Sequence, residues 1–120
     1  MRVWIPLSLI AIVAACGTAP TQPVDGAWQA AITIPGVGRT MTLAQHGTDV
    51  SGTGTWTGEA INPPSGALTV TGTASGSQVT LTFQYDNGRT TTFTGNVLGQ
   101  RLAGIERAGT VADSVVFLRQ

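Results

Sequence analysis

From Asp25 to Gln120 the chain repeats every second residue, with threonine as the usual neighbour of an apolar residue or glycine. "VSGTGTW", "LTVTGTA", "VTLTFQY" and "TTFTGNV" all follow the rule. Period two is the signature of a strand with one face buried, because successive side chains point to opposite faces. Threonine fits that role, since its branched side chain packs well on a pleated surface. No stretch of this region carries the three-to-four spacing of an amphipathic helix, which restricts the chain to an all-β fold.

Turn residues cut the alternation into short pieces. Strands are expected near 26–34, 39–46, 50–58, 67–74, 78–85, 89–97, 101–107 and 114–120. The breaks are "PGVG", "GTD", "EAINPPSG", "SGS", "DNG", "LGQ" and "AGTVAD". Asp86-Asn87-Gly88 is the strongest hairpin signal, because Asn-Gly tolerates the positive φ of tight turns. A run of eight short strands suggests an antiparallel up-and-down meander, and closing it into a barrel removes both exposed edges. A two-sheet sandwich is the alternative. About 95 residues is near the lower limit for an eight-stranded barrel.

The N-terminal segment is of another kind. Val3 to Ala15 is thirteen residues long and apolar apart from Ser8, with Pro6 interrupting it. A membrane-spanning helix needs about 20 apolar residues. Basic Arg2, an apolar centre and then Ala14 and Ala15 instead have the layout of a secretory signal. Val13-Ala14-Ala15-Cys16 resembles the lipobox of bacterial lipoproteins. That resemblance implies diacylglycerol on the Cys16 sulfur, cleavage before it, and acylation of the new amine, palmitate being an expected chain. Two or three acyl chains, at about 0.8 kcal/mol per buried methylene, anchor firmly where one does not. Gly17 follows in place of the aspartate that often marks inner-membrane retention, which favours an outer membrane where the cell has one. The expected organisation is a signal over 1–15, acylated Cys16 with a tether over 16–24 and a barrel over 25–120. The protein would face the periplasm or the exterior.

Cys16 is the sole cysteine, so once acylated the mature chain has no thiol for a disulfide, a nucleophile or a metal site. Without residues 1–15 there remain five Arg, no Lys and six acids, a net charge of about minus one with no charged block. Nucleic-acid binding needs a basic face, and this composition supplies none.

"DGAW", Asp25 to Trp28, resembles the G-x-W opening of the calycin barrels, the group of lipocalins, fatty-acid-binding proteins and avidins. There the tryptophan packs under the barrel against an arginine of the last strand, and Arg119 in "SVVFLRQ" stands where that partner would be. The resemblance implies a structural floor of Trp28 and Arg119, their cation–π contact worth about 0.5–2 kcal/mol. The chain departs from the group in two ways. It lacks the length and C-terminal helix of a full lipocalin, and "QAAITI" after Trp28 replaces the biotin contacts of avidins. Neither family's ligand carries over.

Alternation also assigns the faces, since a slip of one residue would exchange them. The inward set is Trp28, Ala30, Ile32 and Ile34, then Met41, Leu43 and Gln45, then Val50, Gly52, Gly54 and Trp56. Leu68, Val70, Gly72, Ala74, Val79, Leu81, Phe83 and Tyr85 continue it, with Phe93, Gly95, Val97, Leu102, Gly104, Val115, Phe117 and Arg119. Many of these are small, so the interior is either tightly closed around its large residues or hollow enough for a ligand. "PGVG", "EAINPPSG", "DNG" and "AGTVAD" all fall at the end away from Trp28 and include the two longest loops, which makes that end the mouth. Inward parity extended to the mouth collects Arg39, Trp56, Tyr85, Arg89 and Glu106 as candidate ligand contacts, Trp56 foremost.

Catalytic parts are few. His46 is the only histidine, and with Asp49 it falls at the closed end, where a triad would have neither cleft nor serine nucleophile. Glu59 and Glu106 make a thin carboxylate pair, and no acid repeats at metal-ligand spacing. The expectation is a non-enzymatic envelope lipoprotein without a cofactor, its barrel binding a small, partly apolar ligand. The alternative is a filled barrel engaging another envelope protein.

Overall fold

The computed structural model describes residues 23–32, 36–58 and 65–120. Cys16, Ile34, Glu59, the expected signal and most of the tether lie outside them. Eight strands are present: β1 (Gly26–Ala30), β2 (Gly38–His46), β3 (Asp49–Thr57), β4 (Ser65–Ser75), β5 (Gln78–Tyr85), β6 (Thr90–Leu98), β7 (Arg101–Ala108) and β8 (Val111–Arg119). Each pairs antiparallel with its neighbour in sequence, and β1 returns to β8, giving a closed up-and-down barrel. A sandwich is thereby ruled out. Every backbone edge along the shared part of the barrel is paired, as closure requires.

Four hairpins turn on two residues, each beginning with glycine: Gly47-Thr48, Gly76-Ser77, Gly99-Gln100 and Gly109-Thr110. All four glycines have φ of 62–63°, the conformation that two-residue hairpins demand of their first position. The fourth corrects an expectation. "AGTVAD" is not a long mouth loop, because β7 and β8 run on through it and meet at Gly109-Thr110. "DNG" is a three-residue connection, with the Gly88 N–H on the Tyr85 carbonyl at 3.0 Å and Gly88 taking φ of 93°.

Burial follows the parity of the sequence. Trp28, Met41, Leu43, Val50, Trp56, Leu68, Val70, Val79, Leu81, Phe83, Phe93, Val97, Leu102 and Phe117 form one buried cluster. Phe83, Phe93 and Phe117 interlock at its centre with ring centroids 5.7–6.5 Å apart, within the range where tilted aromatic pairs attract.

The interior glycines leave no hollow. A Cβ on Gly54 would strike the Thr40 carbonyl and one on Gly72 the Thr80 carbonyl, while Gly95 lies under the Phe93 ring and the Ala103 carbonyl. Neighbouring backbone and side chains already occupy that space. An eight-stranded barrel has an interior that side chains alone can fill, and here the lower and middle layers are filled.

Trp28 and Arg119 meet at the end of the barrel away from the mouth. The Arg119 guanidinium lies 4.3 Å from the Trp28 ring centre and donates to the backbone carbonyls of Asp25 and Pro23. The Trp28 indole N–H donates to the Val24 carbonyl at 2.9 Å, and Val24 is fully buried although it precedes the first strand. His46 and Asp49 pair across the β2–β3 turn at this end and are exposed.

Candidate functional site

The mouth holds a polar cluster over the aromatic centre. Arg39, near the start of β2, points inward with its guanidinium carbon 5.4 Å from the Phe83 ring centre and 5.2 Å from that of Phe117. It donates two parallel hydrogen bonds to Glu106 on β7, at 2.7 and 2.8 Å. A further one reaches the Tyr85 hydroxyl at 2.8 Å. The Thr91 hydroxyl donates to the same Glu106 carboxylate at 2.6 Å. Both charged side chains are largely covered, at 13% and 14% exposure. Such a fork-on-carboxylate pair is geometrically specific as well as strong.

Burial works against the Arg39 charge, but the hydrogen bond to Glu106 and the nearby Tyr85 and Glu106 outweigh it, so its pKa is raised. Arg39 therefore stays cationic wherever the barrel is folded. Arg39 and Glu106 neutralise one another and plug the top of the core.

Trp56, the foremost ligand contact expected from the sequence, leaves almost no surface open to a ligand. It is buried, its edge meets Tyr85 with centroids 6.3 Å apart, and its indole N–H donates to Asp86 at 3.0 Å. Asp86 also accepts the Ala67 N–H at 3.0 Å. Those two hydrogen bonds hold its carboxyl below the ordinary value of 3.8, against a smaller opposing effect of burial. Arg89 does not converge on the cluster. It is exposed and stands 5.9 Å from the Tyr85 ring centre.

Beside this plug the barrel wall parts. The β1–β8 ladder holds only Trp28↔Arg119, Gln29↔Leu118 and Ala30↔Phe117. One more bond follows, from the Ala31 N–H to the Val116 carbonyl at 2.8 Å, before the Ile32 N–H turns back to the Ala30 carbonyl. The expected first strand over 26–34 thus stops early, while β7 and β8 continue past it. A cleft of about 740 Å³ opens at this parting. Ile32, Val37 and Val115 line it beside Arg39, Glu106 and Asp113, and it continues over the outer face of β8 to Leu118 and Arg101. A smaller recess of about 260 Å³ on the outer side of β1–β3 is lined mainly by threonine and backbone around Val37.

The structure therefore joins Arg39, Tyr85 and Glu106, sets Trp56 on β3 opposite Arg39 and leaves Arg89 outside. Sequence reasoning missed Thr91, Asp86 and Asp113. Thr91 shares the inward parity of Phe93, and Asp113 that of Val115, so the same alternation carried one step further finds both. Asp86 was legible only as a turn residue. Among the described residues no three His, Cys, Asp or Glu side chains cluster as a metal site.

The fold and site define a class: a small, closed, antiparallel barrel with an arginine-stacked floor, a filled core and an ion-paired mouth beside a split in its wall. Comparison with known proteins finds no matching family model, no similar curated sequence and no similar solved structure. The functional reading therefore rests on the residues themselves.

Proposed function

We propose that this is a bacterial envelope lipoprotein, anchored through acylated Cys16, whose barrel reversibly binds a small, partly apolar molecule at its mouth. The observation that carries the binding reading is the cleft at the β1–β8 parting. Its volume of about 740 Å³ lies within the range of about 300–1,000 Å³ typical of small-molecule sites. Ile32, Val37 and Val115 offer apolar cover, and the Arg39–Glu106 plug offers polar edges whose charges already cancel. A ligand therefore need bring no net charge, and the filled core keeps it at the mouth. Support for a calycin-like barrel comes from the eight-stranded closure, Gly26-Ala27-Trp28 and the stacked Arg119. No catalytic role is assigned.

Native mass spectrometry of protein gently extracted from membranes tests the reading. A co-purifying small mass is expected, and Val115→Glu, which places a charge in the cleft at a half-buried position beside the core, should lose it while a cooperative urea transition shows the barrel still folded. A barrel that emerges empty and acquires no small molecule from a membrane extract overturns the binding reading. The filled core favours a second reading, an interaction module for another envelope protein. A reproducible protein complex with an empty barrel would establish that one instead.

A further inference from the structure

The outer face of the barrel is not uniform. From β2 to β6 it is mainly threonine, with serine, glutamine, Ala44, Ala67 and Asn96 among them, and the Thr40 and Thr55 hydroxyls bond to each other across strands at 2.8 Å. On β7 and β8 the outward positions change character. Leu98 at the end of β6, Arg101 on β7 and Leu118 on β8 form one cross-strand row near the floor. Val116 stands above Leu118, and Ile105 lies further up the same face. Leu98 is 68% exposed, Leu118 42% and Ile105 38%. Arg101 and Arg107 both point outward here, while Glu106 and Asp113 take the inward parity. This face is apolar with two cations and no outward acid, on a domain whose net charge is slightly negative.

The chain enters the barrel at the same corner. Arg119, next to Leu118, donates to the carbonyls of Pro23 and Asp25. Six residues lie between Cys16 and Pro23, seven residue steps that span about 25 Å at full extension. A chain held in a bilayer at Cys16 must keep this corner close to the surface.

We infer that the β7–β8 outer face, from Leu98, Arg101 and Leu118 up to Ile105, rests on an anionic bilayer surface, so that the cleft's lower end at Leu118 and Arg101 meets the bilayer while the Arg39–Glu106 plug is turned away from it. The inference builds on the proposal that Cys16 is the membrane anchor. Leucine side chains enter the headgroup region while the arginines meet lipid phosphates, an attraction of about fivefold in partitioning per cation near the surface. The opposite floor turn, Gly47-Thr48, lies among His46 and Asp49 and has neither feature. The barrel would therefore lean to one side instead of standing on its end.

The test uses protein purified from membranes and reconstituted in phosphatidylcholine vesicles carrying phosphatidylglycerol and a headgroup spin label. Amide signals of Leu98, Gln100, Leu118 and Ile105 should be attenuated several-fold more than those of Gly47, Thr48 and Asn87. A Leu98→Ser, Arg101→Ser and Leu118→Ser variant should level that contrast. Equal attenuation at Gln100 and Thr48 in the unmodified protein overturns the inference, as does a contrast that the triple variant leaves intact. Mass spectrometry of the same sample reads the anchor separately. A membrane-held chain without acyl groups that still shows the contrast sinks the lipidation and keeps the face, whereas an acylated chain without contrast does the reverse.

Discussion

Replacing Glu106 by glutamine keeps the shape of the mouth plug and removes its negative charge. In the native barrel that carboxylate receives both nitrogens of Arg39 and the Thr91 hydroxyl, at 2.6–2.8 Å. The variant leaves the Arg39 guanidinium over Phe83 and Phe117 without a counter-charge, and one amide oxygen cannot replace two carboxylate oxygens. Removing one partner of a buried pair costs about 3–5 kcal/mol. The lower end applies here, because the arginine stem can swing the charge toward the open cleft, so a loss of about 3 kcal/mol is expected. Against a typical domain stability of about 5–15 kcal/mol that is a large fraction. Urea unfolding followed by tryptophan fluorescence reads it directly through Trp28 and Trp56. Arg39→Met with Glu106→Leu supplies the control. Exchanging the whole pair for apolar residues of similar volume should leave stability within about 1 kcal/mol of the native protein or raise it. If Glu106→Gln costs less than about 1 kcal/mol, the pair behaves as a solvent-screened surface bridge, and the account of a sealed mouth is wrong.

Three further outcomes are expected. Gly72→Ala should destabilise the barrel by about 1–3 kcal/mol in the same assay, since its Cβ would meet the Thr80 carbonyl and no flexible side chain can yield; an unchanged urea midpoint would show that the strands can part there. The folded-state pKa of Asp86 is depressed below its ordinary value of 3.8, so its stabilising hydrogen bonds persist above that value and are lost as pH falls through the depressed one. In a pH series of urea midpoints Asp86→Asn should flatten this acid-side loss, and the Trp56 indole proton resonance should shift over the same interval. Cys16→Ser should release the protein from the membrane fraction or leave it uncleaved, without lipid mass; unchanged fractionation and processing would remove the lipid anchor from the proposal.

Much of the barrel was readable because strand alternation is a local property. Each threonine beside an apolar residue fixes which face turns inward, and that parity held from Trp28 to Phe117 without one described exception among the large apolar residues. The glycines of the two-residue turns were equally plain, since a positive φ limits what can stand there. Parity also pointed Arg39, Tyr85 and Glu106 to one end. It could not pair them, because they lie 46 and 67 positions apart from Arg39 and meet only when the sheet closes. Trp56 was placed at the right end and on the inward face, but the partner of its indole N–H was not legible. Its partner Asp86 sits in a turn 30 residues on, and nothing local announces that an indole N–H will be satisfied there.

The sequence by itself determined where the strands fall and which face of each turns inward, because both depend on spacing and turn chemistry. The floor of Trp28 and Arg119 was implied by a resemblance, and only the closed sheet decided between barrel and sandwich. Only the tertiary structure decided whether the small interior residues meant a cavity or a close approach. A glycine looks the same in either case until the Thr40 or Thr80 carbonyl is seen to occupy the place of its side chain. The parting of β1 from β8 likewise emerged only in three dimensions. It arises because one strand ends at Ala30 while its partner continues to Val111, a mismatch between two segments at opposite ends of the chain.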